Sequence, residues 1–377
     1  MGRPPHRLTL LCDGHLHAGL ETSLVTFLDA APRALVQPTV VHAGHAVDES
    51  FARAVEQTGT RFVRVPAGRG RFAAFRALWR ELAPDIVHVH SCGVHSQALA
   101  LATALRAGAR ILRTVHMPYS RWEHNAQALR SLPRRALQTW LLRRVEKLIA
   151  VSEADRRELL SSGICGEAQC VTVPNGIALD RFTRTNRADA RARLGVLPSV
   201  PLIGAVGRLT PQKRFHLLLE AMPRVLAKRA DARLVVIGTG PDEAALVEQS
   251  RRLGFAGQVR FAGHRQDVAE CLPAFDVLAM PSLYESQGLV MVEALAARVP
   301  VVASDLPCFH EIDGHRGAVT FCDVTSPQAL ADAVLRLLGD AHAREHAGLA
   351  GNLRARHYSA EAHAAAVCAL YDEHVRG

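Results

Sequence analysis

Two carboxylates stand eight residues apart in Pro281-Ser-Leu-Tyr-Glu285-Ser-Gln-Gly288-Leu-Val-Met-Val-Glu293, directly behind the apolar run Val277–Met280. The pattern reads as a buried strand, a loop, and a helix that opens near Gly288. A helix start leaves backbone N–H groups without partners. Those of Gly288, Leu289 and Val290 would face an anion, helped by the helix dipole. Gly288 itself would let a ligand come close to the backbone. A carboxylate placed there can accept hydrogen bonds from two neighbouring hydroxyls. The plainer reading of the same residues is that Glu285 caps the helix and Glu293 lies on a solvated face.

A second cluster is Ala205-Val-Gly207-Arg208-Leu-Thr-Pro-Gln-Lys213. A strand ends at Val206, a glycine turn follows, and Arg208 and Lys213 fall on the loop and the next helix start. Cations at the carboxyl end of a strand suit a diphosphate, although either could be ordinary surface charge. Together the two clusters offer phosphate cations, helix N–H donors and hydroxyl acceptors, which are the needs of a nucleoside-diphosphate sugar. No Asp-x-Asp pair occurs in the sequence. No metal and no cofactor are therefore expected, and Arg208 and Lys213 would neutralise the leaving diphosphate. Gly238-Thr-Gly240 lacks the third glycine of a dinucleotide fingerprint, because Glu243 stands in its place, and it reads as a tight turn.

In the front half, His116 closes the run Ile111–Val115, which makes it a candidate catalytic residue, although a lone histidine at a strand end is more often structural. His88 and His90 lie on either side of Val89 and are expected to face opposite ways, so that at least one packs in the core. Gly14 and Gly19 flank the first strand-to-helix turn, a usual place for a phosphate-binding loop.

The elements that must position these residues alternate short apolar runs with longer amphipathic ones, the mark of βαβ units and parallel sheets. Strands are expected at Leu8–Cys12, Thr39–His42, Phe62–Val65, Ile86–His90, Ile111–His116, Lys147–Val151 and Cys170–Val173. After Pro174-Asn-Gly176 and a polar stretch, Asp180–Arg193, that reads as a linker, they resume at Pro201–Gly207, Arg233–Ile237, Val259–Phe261, Val277–Met280, Pro300–Ala303 and Ala318–Phe321. Helices are expected at Glu21–Ala31, at Arg71–Leu82 with Phe72, Phe75, Trp79 and Leu82 on one face, and at Pro327–Gly339 and Ala360–Val375. The fold class is α/β, with two Rossmann-like doubly wound domains over residues 1–178 and 179–358. Residues 359–377 form a C-terminal helix that could cross back to the front domain. The carboxyl ends of the two sheets would face a central cleft, the natural site for a ligand.

A chain of 377 residues exceeds one ordinary core, and 49% hydrophobic with 21% charged residues is a globular balance. The net charge of +9 is uneven: residues 1–178 carry 22 Lys+Arg against 14 Asp+Glu, and residues 179–377 carry 23 against 22. A basic front half suits an anionic partner, and equally fits ordinary solubility charge. No nucleic-acid module or aromatic stacking set accompanies it, so nucleic acid is not expected. Two segments could rest on anionic lipid. One joins Arg69, Arg71, Arg76 and Arg80 to the Phe72/Phe75/Trp79 face, which a core helix would equally show. The other joins Arg130, Arg134, Arg135, Arg143 and Arg144 to Leu137, Trp140 and Leu141. The apolar run after Arg7 is only strand-length and none approaches the ~20 residues that span a bilayer. The expected location is the cytoplasm, at the inner face of the cytoplasmic membrane if lipid is contacted. The eight cysteines form no CxxC pair and read as small reduced hydrophobes.

The segment Glu285–Glu293 resembles the Glu-x7-Glu motif of family-4 retaining glycosyltransferases, which have the GT-B fold of two Rossmann-like domains. Val206-Gly-Arg208-Leu-Thr-Pro-Gln-Lys213 is similar to their diphosphate-binding segment. Ala150-Val-Ser-Glu153, Val173-Pro-Asn-Gly176, Phe261-Ala-Gly-His264 and Pro300-Val-Val-Ala-Ser304 agree in order and spacing. The resemblance implies that Glu285 binds donor-sugar hydroxyls, Glu293 the ribose, and Arg208 and Lys213 the diphosphate. It also implies that Leu289 and Val290 offer it backbone N–H groups, that Gly19 approaches the phosphates, that His116 lies near the donor sugar, and that Asp267 lies near the base. Three departures stand out. Arg214 and Arg298 occupy places where the family often has glycine, and Leu306-Pro-Cys308 replaces a common Gly-Gly pair.

The expected activity is metal-independent transfer of a hexose-type sugar, with retention, from a nucleoside-diphosphate sugar to a lipid-linked or cell-envelope glycan in a bacterium. The rival readings are a sugar-nucleotide epimerase or hydrolase of the same fold and a non-catalytic sugar-nucleotide-binding subunit.

Overall fold

The computed structural model describes residues 4–13, 19–44, 47–66, 68, 70–90, 94–117, 140 and 142–375, with backbone alone over 94–98 and at 375. The chain divides into two compact units, residues 1–176 with 360–377, and residues 177–359.

The first unit holds a parallel sheet of β1 (His6–Cys12), β2 (Val36–His42), β3 (Arg61–Arg64), β4 (Ile86–Val89), β5 (Arg110–Val115), β6 (Lys147–Ala150) and β7 (Cys170–Thr172). Its order is β3-β2-β1-β4-β5-β6-β7. The second unit holds β8 (Leu202–Val206), β9 (Arg233–Ile237), β10 (Val259–Phe261), β11 (Val277–Met280), β12 (Val301–Ser304) and β13 (Val319–Cys322), ordered β10-β9-β8-β11-β12-β13. Each sheet winds outward in both directions from one point, β1/β4 in the first and β8/β11 in the second. Ligands of such sheets bind outside the carboxyl ends at that reversal.

Helices cover both faces, so the central strands are apolar throughout; all five residues of β8 and all four of β11 and β12 are buried. The helix Ala360–Val375 belongs to the first unit and packs on the helix Gly19–Ala30: Tyr371 is fully buried, and the Phe27 ring meets His363 and Tyr371 edge-on at 6.0 and 6.4 Å.

Two local expectations are overturned. Asp180–Arg193 is no linker. It folds as a turn (Leu179–Phe182) and a helix (Arg187–Arg193) inside the second unit. Its anchor is Arg191, buried with its guanidinium donating to Asp276 at 2.8 Å and to the carbonyls of Ala274, Leu197, Pro198 and Val200 at 2.7–3.1 Å. A charged residue can lie in a core when every donor is taken. In the helix Arg71–Leu82 the buried face is Phe75, Leu78 and Trp79, while Phe72 is exposed beside Arg76. That face is core.

Among the described residues no helix is long and apolar enough to cross a membrane. Of the second basic segment, Arg130, Arg134, Arg135, Leu137 and Leu141 lie outside the described residues; Trp140 is 47% exposed and stacks under Arg144 at 4.1 Å.

Candidate functional site

The loops after β8 and β11 leave the second sheet at its reversal point and are tied together by Gln212. The Leu283 N–H donates to the Gln212 carbonyl at 2.7 Å, and the Gln212 side-chain amide donates to the Tyr284 carbonyl at 2.9 Å. Across this tie Lys213 Nζ donates to Glu285 Oε1, which also accepts from Ser282 Oγ at 2.8 Å. Ser304 Oγ at the end of β12 fixes the Ser282 carbonyl at 2.6 Å. Glu285 is 7% exposed, so its charge stands largely out of water, held by an ammonium and a hydroxyl. The Lys213 stem runs over Gly207, whose missing Cβ would lie 3.2 Å from Lys213 Cε. Arg208 is exposed, and its guanidinium makes no ion pair among the described residues.

Gly238 and Gly240 serve this loop. A Cβ on Gly238 would lie 1.9 Å from the Gly207 carbonyl oxygen and one on Gly240 2.2 Å from that of Leu209. The backbone after β9 therefore presses directly on the Arg208 loop, which is the physical meaning of the Gly-Thr-Gly turn.

Gly288 precedes the helix Leu289–Ala296 at φ +87°, a conformation that favours glycine. Its Cβ position is filled by the Phe309 ring at 2.5 Å. Packing against Phe309 is therefore one reason for a glycine here. The backbone N–H groups of Leu289 and Val290 have no partner among the described residues. Two buried hydroxyls, Thr210 Oγ1 and Ser286 Oγ, one in each loop, are likewise without partners. Buried polar groups without a partner are uncommon in folded proteins.

Glu293 lies on the second turn of that helix, and burial pushes its carboxyl up to about 7, with Arg181 pulling it down. It is no solvated-face residue. Asp267 is held by Arg265 through two bonds of 2.6 and 2.8 Å and lies 3.6 Å from Arg193. Arg265 holds its carboxyl below the usual range.

Arg214 and Arg298, at the two positions where glycine was expected, adopt φ +50° and +59°. Each carries the strain of a left-handed Cβ-bearing residue, ~1–2 kcal/mol. Arg214 lines a cavity of about 450 Å³ beyond the carboxyl ends of β11, β12 and β13, with Ser282, Ser304, Asp305, Phe321 and Asp323 among its walls.

In the first unit His116 follows β5, and its Nε2 lies 3.3 Å from His90 Nδ1. The His88 and His90 rings are 4.1 Å apart, so the two share one side of their strand. The expectation that they face opposite ways is wrong, because residues two apart on a strand point to the same face. His88 bonds Tyr371 Oη at 2.6 Å and Thr114 Oγ1 at 2.8 Å. Burial above all, with mutual repulsion among neighbouring histidines and, for His116, from Arg113, holds His88 and His116 down to about 3, and His90 is also held well below its ordinary value. The three are neutral imidazoles at physiological pH. Among the described residues no cluster of His, Cys, Asp or Glu is arranged to hold a metal ion. Gly19 opens the first helix and is exposed; Gly14 lies outside the described residues.

Sequence reasoning missed Gln212, Ser282, Ser304 and Phe309. Gln212 and Ser282 stand inside the motifs, but nothing in their residue types marks them as the ties that orient Lys213 and Glu285.

Comparison with known proteins gives two family matches: "Glycosyltransferase Family 4" over residues 17–181 and "Glycosyl transferases group 1" over residues 200–340. The phosphatidyl-myo-inositol mannosyltransferase of Mycobacterium tuberculosis is 32% identical over 301 residues, covering 76% of this chain and 73% of that one. The glycogen synthase of the same species is 30% identical over 282 residues, covering 73% and 64%. Among solved structures, Anabaena HepE in complex with UDP-glucose superposes with a TM-score of 0.82 at 20% identity, covering 97% and 99%. Sucrose-phosphate synthase from Thermosynechococcus elongatus does so with a TM-score of 0.75 at 20% identity, covering 98% and 99%.

Proposed function

The chain belongs to glycosyltransferase family 4, and on that footing we propose that it moves a hexosyl group, with retention and without a metal, from a nucleoside-diphosphate sugar to a lipid-linked or cell-envelope glycan. The observation that carries this reading is the pairing of Lys213 with Glu285 at the reversal point of the second sheet, beside the unpartnered amides of Leu289 and Val290. An ammonium and helix-start amides are what a leaving diphosphate requires, and a carboxylate is what sugar hydroxyls require. The names of the relatives support the substrates: a mannosyltransferase named for phosphatidyl-myo-inositol, and HepE crystallised with UDP-glucose.

In this reading Arg208 and Lys213 hold the diphosphate, with Leu289 and Val290 donating from the backbone and Gly19 also a phosphate-binding residue. Glu285 binds sugar hydroxyls, Glu293 the ribose, and Asp267, with its partner Arg265, the base region. His116 acts as a neutral imidazole toward the donor sugar. An oxocarbenium-like transition state forms as the diphosphate leaves, and the leaving oxygen takes the acceptor's proton, so no separate base is required. Fixed donors aimed at developing charge are typically worth ~3–4 kcal/mol each. We place the enzyme in the cytoplasm, with Trp140 and Arg144 part of a contact to anionic lipid; co-sedimentation with anionic vesicles at low salt tests that.

The test of the site is a thermal-shift screen with nucleoside diphosphates and their sugars, followed by turnover of Lys213→Ala. A ligand that binds the native state raises the melting temperature with concentration. Turnover of Lys213→Ala should fall about 100-fold or more. Ordinary turnover in a folded variant removes Lys213 from the mechanism, and release of free sugar regardless of acceptor points to the hydrolase instead.

A further inference from the structure

We propose that Arg214 is a specificity-determining residue, hydrogen-bonding an uncharged glycosyl group seated in the cavity beyond β11, β12 and β13. The proposal rests on the nucleotide-sugar reading above and adds a subsite to it.

Three observations converge. First, Arg214 holds φ +50°, ψ +34°, a left-handed conformation that favours glycine, at the junction between the Pro211–Lys213 turn and the helix Phe215–Lys228. Strain of this kind persists where the surroundings impose it and gathers at ligand sites. Second, Arg214 is half-buried and its guanidinium has no partner among the described residues, whereas Asp305, Asp323 and Ser304 on the same cavity wall are each paired. Asp305 pairs with His310, Asp323 accepts from Thr325 N and Oγ1 at 2.9 and 2.6 Å, and Ser304 Oγ donates to the Ser282 carbonyl. Third, the cavity volume of about 450 Å³ lies in the range of small-molecule sites, and its wall includes Ser282, whose hydroxyl holds Glu285.

The wall chemistry selects the occupant. The cavity wall carries one guanidinium, Arg214, and two carboxylates, Asp305 and Asp323, so a second anion is disfavoured, and the guanidinium disfavours a cation. Carboxylates with lone pairs to spare, a fork of free donors, and the Phe321 ring backed by His310 at 3.9 Å suit a polyhydroxyl group with an apolar edge. That group can come from the donor or from the acceptor.

The experiment compares wild type, Arg214→Gly and Arg214→Lys by isothermal titration with UDP and UDP-glucose, GDP and GDP-mannose, and free glucose, alongside melting temperatures. Glycine suits the backbone, so Arg214→Gly should melt at or above the wild-type temperature. If the donor supplies the glycosyl group, its affinity for the sugar nucleotide drops about tenfold while that for the bare diphosphate stays within twofold. If the acceptor supplies it, both nucleotides bind as in wild type and glucose binding weakens. Arg214→Lys, which keeps charge but not the fork, should fall between. Unchanged affinity for every ligand overturns the proposal, and so does an equal loss for diphosphate and sugar nucleotide. Failure of the wild type to bind any nucleotide defeats the donor reading itself, and this subsite falls with it.

Discussion

Lys213 Nζ donates to Glu285 Oε1 across 72 positions of sequence, and the carboxylate it reaches is 7% exposed. Each charge makes the burial of the other tolerable. Removing either alone should therefore cost more than removing both. We predict that Lys213→Met and Glu285→Gln each destabilise the protein by about 1–3 kcal/mol, and that the double variant loses less than their sum. Urea unfolding of the four proteins measures the coupling; strict additivity would show the contact to be idle.

Glu293 gives a pH signature. Its carboxyl titrates at about 7 in the folded protein, raised by burial from an ordinary value of 4.5. A raised acid binds its proton more tightly folded than unfolded, so stability falls as pH climbs from about 4.5 to about 7. Glu293→Gln should flatten that limb. If the carboxylate accepts ribose hydroxyls, nucleotide affinity in wild type rises through the same window and does not in the variant. A flat affinity profile in wild type would detach Glu293 from the ligand.

The histidine cluster works in the opposite sense. Unfolded imidazoles protonate near 6.5, whereas His88 and His116 hold off until about 3. Their contribution to stability is complete above pH ~6.5 and is lost as pH falls toward 3, each neutral imidazole steepening the loss by about 1.4 kcal/mol per pH unit. His116→Asn should shallow the acid limb of a melting-temperature profile, and an identical slope would mean that the imidazole is not held neutral.

Gly238→Ala should be the most damaging single methyl on the second unit. Its Cβ would fall 1.9 Å from the Gly207 carbonyl oxygen, at a φ of +137°. Backbone cannot yield as a side chain can, so a loss above ~3 kcal/mol or a failure to fold is expected. Gly254→Ala, where φ is +79° and nothing lies within 4 Å, is the control and should cost only ~1–2 kcal/mol.

Arg191→Met removes a buried guanidinium and leaves four carbonyls and Asp276 short of donors, with Arg187 still bonded to Asp276 at 2.6 Å. A cost of about 3 kcal/mol or more is expected in chemical unfolding. A near-neutral result would mean that the Arg187–Arg193 helix docks through its apolar residues alone.

The sequence by itself determined the strands and their order along the chain, and it located both clusters that hold the candidate site. The physical reason is local. In a parallel sheet covered on both faces each strand is a continuous apolar run, and loops that bind ligands leave from its carboxyl end. The shared face of His88 and His90 was equally open to reading, since a strand repeats every two residues. What tertiary structure alone decided was who meets whom. Lys213 and Glu285, Gly238 and Gly207, Phe309 and Gly288, Arg191 and Asp276 are distant in sequence, and no property of either partner names the other. Asp180–Arg193 looked like a linker because its charges were counted without their partners. Arg214 looked like a misplaced glycine until the backbone turned left-handed beneath it and a cavity opened beside its side chain. Residue types set what a group can do; packing sets whether it is satisfied or strained.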